Sequence, residues 1–112
     1  MLIATHTLAG RPLDWAVAKA QGQEHILPIP RYHEDWAAVG PLIRQYRIGL
    51  KAHRHPHDGP CFAAASYNPD GSIGYAPTTG DDELEAVLRC VVLHQLGGIV
   101  DVPERFFNDE ES

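Results

Sequence analysis

The sequence predicts an α+β fold: a small antiparallel sheet of about three to four strands with two to three helices packed on one face. Three observations carry this expectation. Apolar residues recur at helical spacing twice, as Leu13, Ala16, Val17 and Ala20 near the start and as Leu84, Val87, Leu88 and Val91 near the end. Asn68-Pro69-Asp70-Gly71 has the residue types of a tight turn and separates two short runs with strand character. The order helix, helix, strands, helix, strand gathers the helices on one side of an antiparallel sheet and leaves the other face to water or a partner.

The first helix is expected from Pro12, where a missing N–H has no helical partner, to Gly22, with Asp14 near the positive end of the dipole. Trp15 and Lys19, four residues apart, form a stripe beside its apolar face. Between Gln23 and Glu34, Pro28 and Pro30 favour extended backbone and remove ladder donors, so the segment reads as an ordered loop or an edge. Asp35 can cap a turn starting at Trp36, and a broken helix is expected from about Asp35 to Tyr46, interrupted at Gly40 and resumed at Pro41. Strands are expected over Ile48–His53, Cys61–Tyr67 and Ser72–Ala76, the last two joined by the Asn68–Gly71 turn. Asp82 with Glu85 three positions on makes an acidic analogue of a capping box for the final helix, which Gly97-Gly98 ends. Ile99–Val102, apolar and β-branched ahead of Pro103, reads as a closing strand.

A chain of 112 residues with 44% hydrophobic and 21% charged residues has the make-up of one domain, expected over residues 1–107, since a single core usually organises about 100–150 residues. Residues 108–112, Asn-Asp-Glu-Glu-Ser, have the composition of a disordered acidic tail. The net charge of -6 argues against nucleic acid as a partner, because phosphate backbones select clustered Lys and Arg, and the weak run Arg44, Arg47, Lys51 and Arg54 reads as a solvated face. No apolar run approaches the roughly 18 residues of a membrane span, and the first residues lack the features of a secretory signal. The expected setting is a reducing cytoplasm without membrane association, with Cys61 and Cys90 as small buried hydrophobes.

The sharpest chemical constellation is Ala52-His-Arg-His-Pro-His-Asp-Gly-Pro-Cys61. His53, His55 and His57 are two apart, and extended backbone would put the three imidazoles on one side, with Cys61 close behind as a fourth ligand for zinc or nickel. Pro56 and Gly59-Pro60 mark a loop instead of a regular strand, and a solvated histidine loop is the alternative. Cys90 and His94, four apart on one helix, could pair as nucleophile and base, yet burial would raise the thiol and make it inert. Asp81, Asp82 and Glu83 suit a helix N-terminus better than an acid–base dyad, and no glycine spacing matches a phosphate cradle. Trp15, Trp36, Arg44 and Arg89 are the candidate binding residues, being of the types that dominate interfaces. Of the tryptophans, Trp15 is expected in the core and Trp36 half-exposed. Arg89 reads either as a snorkelling stem or as a partner for an anionic ligand or for Asp14.

Two segments, Leu13 to Gly22 (LDWAVAKAQG) and Leu84 to Glu104 (LEAVLRCVVLHQLGGIVDVPE), together resemble the NinX family of small tailed-phage proteins. Their hallmark is an early LDWAVAKAxG helix and a late AMRCxVxxxLGxxVxVPE helix and exit. Asp35-Trp36, Gly40-Pro41-Leu42-Ile43 and Gly80 extend the match, whereas Asp82-Glu83 replaces Thr-Pro and Val87-Leu88 replaces Ala-Met. The resemblance implies a phage or prophage product acting in a bacterial host's cytoplasm and no catalytic residue. The leading expectation is a non-enzymatic module, without cofactor, binding a host or phage protein through the free sheet face or the region from Trp36 to Arg44. One alternative is a protein that sequesters an anionic or nucleotide-like ligand at a homodimer seam near Trp15 and Arg89. The other is a zinc or nickel protein built on His53, His55, His57 and Cys61.

Overall fold

Strand β1 (Leu2–Ala4) pairs antiparallel with the last strand, β5 (Ile99–Asp101), with Leu2 opposite Asp101 and Ala4 opposite Ile99. The computed structural model describes residues 1–57, 59–74 and 77–107, so the expected acidic tail, 108–112, lies outside the described residues. Between the paired ends run α1 (Gly10–Ala20), α2 (Trp36–Gln45), the hairpin of β2 (Ile48–His55) and β3 (Gly59–Ser66), β4 (Thr78–Gly80) and α3 (Glu83–Leu96). The second sheet is antiparallel in the order β2-β3-β4. The fold is α+β, as the sequence predicts.

One sheet of three to four strands becomes two sheets. Gly97, at φ 88, turns the chain directly after α3, and the closing strand that follows meets β1 instead of the larger sheet. The expected strand Ser72–Ala76 is also corrected. The Asn68–Gly71 turn forms, closed by the Gly71 N–H donating to Asn68 O at 2.9 Å, but among the described residues of the expected strand only Ile73 forms a bridge, to Tyr67. Gly74 N–H then bonds Ser66 O at 2.7 Å and Pro77 has no donor, so the third strand of the sheet is Thr78–Gly80, paired with Phe62–Ala64. Residues 75 and 76 lie outside the described residues.

Three boundaries move. Helix α1 starts at Gly10, two residues before Pro12. Helix α2 runs through Gly40-Pro41 unbroken; Gly40 has no Cβ to clash with the Pro41 ring, so the residue before proline stays helical. The β2–β3 hairpin extends past the expected strand ends to His55 and Gly59, because Pro56 falls in the turn and Pro60 stands opposite Arg54. The caps form as read: Asp35 accepts from Ala37 N at 3.0 Å and Ala38 N at 3.3 Å, and Asp82 accepts from Glu85 N at 2.8 Å.

Helix α3 is the centre of the core. Leu84, Ala86, Val87, Leu88, Cys90, Val91 and Val92 are all buried on it, which is the pattern of a helix enclosed on most sides. It lies between α1 and one face of the β2–β4 sheet, with α2 alongside. Register places Leu50, Phe62, Ala64 and Gly80 on that inner face. A Cβ on Gly80 would meet the backbone nitrogen of Ala86, so only glycine lets β4 lie this close to α3. No helix among the described residues is long and apolar enough to cross a membrane.

Candidate functional site

Side-chain charge divides the molecule in two. Residues 36–69 hold four of the nine Lys and Arg residues and one acidic residue, Asp58, whereas the rest of the chain holds five basic and fourteen acidic residues. Against a chain of net charge -6, this stretch is positive. It comprises α2 and the β2–β3 hairpin, and its basic residues Arg44, Arg47, Lys51 and Arg54 are all exposed. Among the described residues, no carboxylate lies within ion-pair distance of any of the four.

Two other arginines, Arg11 and Arg89, are engaged inside the fold. Arg11 donates to Asp14 Oδ2 at 3.0 Å and to the Ile29 carbonyl at 3.0 Å. Arg89 donates from Nε to Leu8 O and from Nη1 to Thr79 O, both at 2.8 Å, with Glu85 Oε1 3.1 Å away. Arg89 therefore ties the start of α1 and strand β4 to α3, and its side chain is only 12% exposed. Neither the snorkelling stem nor a partnership with Asp14 is what forms, because backbone carbonyls from both neighbours take up its donors first.

Asp14 is fully buried, which its place near a helix start did not suggest. Its carboxylate accepts from the His33 backbone N–H at 2.8 Å, contacts His33 Nδ1 at 2.6 Å and pairs with Arg11. Desolvation pushes this carboxyl above its ordinary range, opposed by the hydrogen bonds and charge of His33 and by Arg11. The cluster pins the 3-10 turn at Tyr32–Glu34 and the proline loop before it to α1. Sequence periodicity gives no sign of it, since the partners come from a loop 18 and 19 residues away.

The four candidate binding residues separate accordingly. Trp15 is buried, 6.1 Å from the Phe106 ring, with Lys19 Nζ 5.3 Å from its centroid. Trp36 is 51% exposed and shares the solvent side of α2 with Gly40, Pro41 and Arg44. Trp36 and Arg44 therefore lie on one accessible surface, while Trp15 and Arg89 are each committed to internal contacts.

Just beyond α2, Arg47 takes φ 54, the left-handed conformation that glycine or asparagine adopts with least strain. A non-glycine residue there costs about 1 kcal/mol. The Arg47 side chain is exposed, so its own packing does not offset that cost. A polar cleft of about 350 Å³ opens beside it, lined by Gln45, Arg47, Asn68, His94 and Gln95 among others. On the sheet face away from α3, Tyr67 lies across Gly49, where a Cβ would come within 2.6 Å of its ring, and with Ala63, Ala65, Ile73 and Pro77 it lines an apolar pocket of about 200 Å³.

His53 stands opposite Cys61 across β2 and β3, and His57 lies in the turn beyond; the His55 side chain and Asp58 are outside the described residues. Among the described residues, no three His, Cys, Asp or Glu side chains gather into a group that could hold a metal ion. Zinc or nickel thus rests on sequence spacing alone. Cys90 is buried on α3, and burial pushes its thiol up to about 11, far from the reactive thiolate range.

From the sequence alone Arg44, Arg47, Lys51 and Arg54 read as a solvated face. Counting acids as well as bases over 36–69 would have marked the stretch. Compared with known proteins, the chain matches no family model and no curated protein.

Proposed function

We propose that this protein is a non-enzymatic binding module, and that the NinX-like segments mark it as a phage- or prophage-encoded accessory protein acting in a bacterial host's cytoplasm. It engages a host or phage protein through the exposed side of α2 and the adjoining basic strand β2. The observation that carries this reading is the set of four exposed cations from Arg44 to Arg54 with no carboxylate within ion-pair distance among the described residues, in a chain that pairs Arg11, Arg31 and Arg89 elsewhere. Exposed Trp36, two turns from Arg44 on the same side of α2, adds an aromatic anchor of the kind that concentrates binding energy.

Capture from host lysate tests the placement. The unaltered protein retains a defined set of proteins, and Trp36→Ala with Arg44→Ala loses them; an unchanged set would refute it. The polar cleft at Arg47 favours a second reading, sequestration of a small anionic ligand. Native mass spectrometry with and without chelator reads that case directly. A chelator-resistant excess mass supports the ligand, a chelator-sensitive one supports metal on the histidine hairpin, and the subunit count reports a homodimer.

A further inference from the structure

Strand β2 is an eight-residue edge of its sheet. The opposite edge, β4, is three residues long, and its Thr79 carbonyl is already taken by Arg89. Arg47 O accepts the Tyr67 N–H at 3.0 Å. Antiparallel alternation therefore turns the backbone groups of Gly49, Lys51 and His53 toward β3 and those of Leu50, Ala52 and Arg54 outward. Among the described residues no strand pairs with them on that side, so their N–H and C=O groups form an open ladder.

We infer that this edge accepts an acidic, extended polypeptide segment of a partner protein as an added strand, an inference that rests on the binding reading above. Backbone pairing supplies the ladder, and the charge of the edge supplies the selectivity. An added strand places one row of side chains beside Lys51 and His53 and the other beside Leu50 and Ala52, with Arg54 at the end. Acidic and apolar residues in alternation fit those rows.

Other occupants fit worse. A second copy pairing edge to edge would crowd two sets of Lys51 and Arg54 along one seam, where like charges repel, whereas an acidic segment is attracted to it. Nucleic acid would meet the cations but has no N–H and C=O ladder, and the acidic remainder of the chain repels phosphate. Basic residues on an edge also serve as protection against aggregation. That role accounts for Lys51 and Arg54, but not for strained Arg47 and Arg44 beyond the strand.

The test is fluorescence anisotropy of a labelled ten-residue peptide of alternating Glu and Val, measured with the whole protein. Three probes accompany it: the peptide N-methylated at alternate residues, its Lys–Val counterpart, and an oligothymidine. The Glu–Val peptide binds, and the methylated and Lys–Val peptides bind at least about tenfold more weakly. Lys51→Glu with Arg54→Glu weakens the Glu–Val peptide by a similar factor. Ala52→Pro removes an outward N–H from an edge position that tolerates proline, and abolishes binding at an unchanged unfolding midpoint. If Ala52→Pro fails to fold, the methylated peptide on the unaltered protein decides the same point. Equal affinity for methylated and unmethylated peptide, displacement by oligothymidine, or no binding would overturn the inference. Lysate capture that still depends on Trp36 and Arg44 would then leave the binding reading standing.

Discussion

Arg11 on α1 and Arg89 on α3 have guanidinium nitrogens within 3.0 Å of backbone carbonyls, whereas Arg44 in the last turn of α2 and Arg47 just beyond it have no carboxylate within ion-pair distance among the described residues. The same side chain serves two ends. In the first region it replaces water around polar groups that folding has buried, so removing it leaves those groups without partners. In the second it stays hydrated, contributes little to the fold and remains available to an incoming acid.

The comparison breaks most visibly at Asp14. Asp14→Ala leaves the buried ends of Arg11 and the His33 N–H without their acceptor and is expected to cost about 3–5 kcal/mol in urea unfolding. A loss under about 1 kcal/mol would mean that the cluster does not hold the loop. Arg89→Ala removes two carbonyl bonds and the Glu85 contact and should cost about 1.5–3 kcal/mol. Equal unfolding midpoints for Arg89→Ala and Arg44→Ala would erase the distinction between the regions.

A pH series sharpens it further. Burial raises the Asp14 carboxyl above its ordinary 3.8, so the folded protein keeps a proton there that the unfolded chain has released. The stability this contributes is complete below the ordinary value and is lost as pH rises through the raised one. Asp14→Asn has no carboxyl to ionise, so the stability of the unaltered protein relative to this variant should fall as pH climbs above 3.8. A gap that widens instead would mean the paired, ionised form is favoured. The smallest effect has the opposite sign: Arg47→Gly removes left-handed strain, and stability should hold or rise by up to about 1 kcal/mol.

Local chemistry was legible in the sequence where it acts locally. The caps Asp35 and Asp82, the Asn68–Gly71 turn and the apolar spacing of α1 and α3 depend on residues a few positions apart, and each forms. Strands β1 and β4 are three residues long, too short for a period of two to register, and their pairing is fixed by α3 and the chain ends. Asp14 and Arg89 escaped for a related reason: Asp14 meets His33, 19 residues on, and Arg89 meets the carbonyls of Leu8 and Thr79, 81 and 10 residues away. The basic surface was legible in a different sense. Its residues are visible as a run and the scarcity of acids around them is in the sequence too, but their exposure, and the absence of carboxylates within ion-pair distance among the described residues, come from the fold.

The most direct measurement of whether these open charges serve a partner is quantitative capture from host lysate by Arg47→Gly, with its unfolding midpoint recorded alongside. The account predicts a midpoint equal to or above that of the unaltered protein, together with loss of the captured proteins. Full capture at that same midpoint would contradict it, since Arg47 would then bear its backbone strain without contributing to binding.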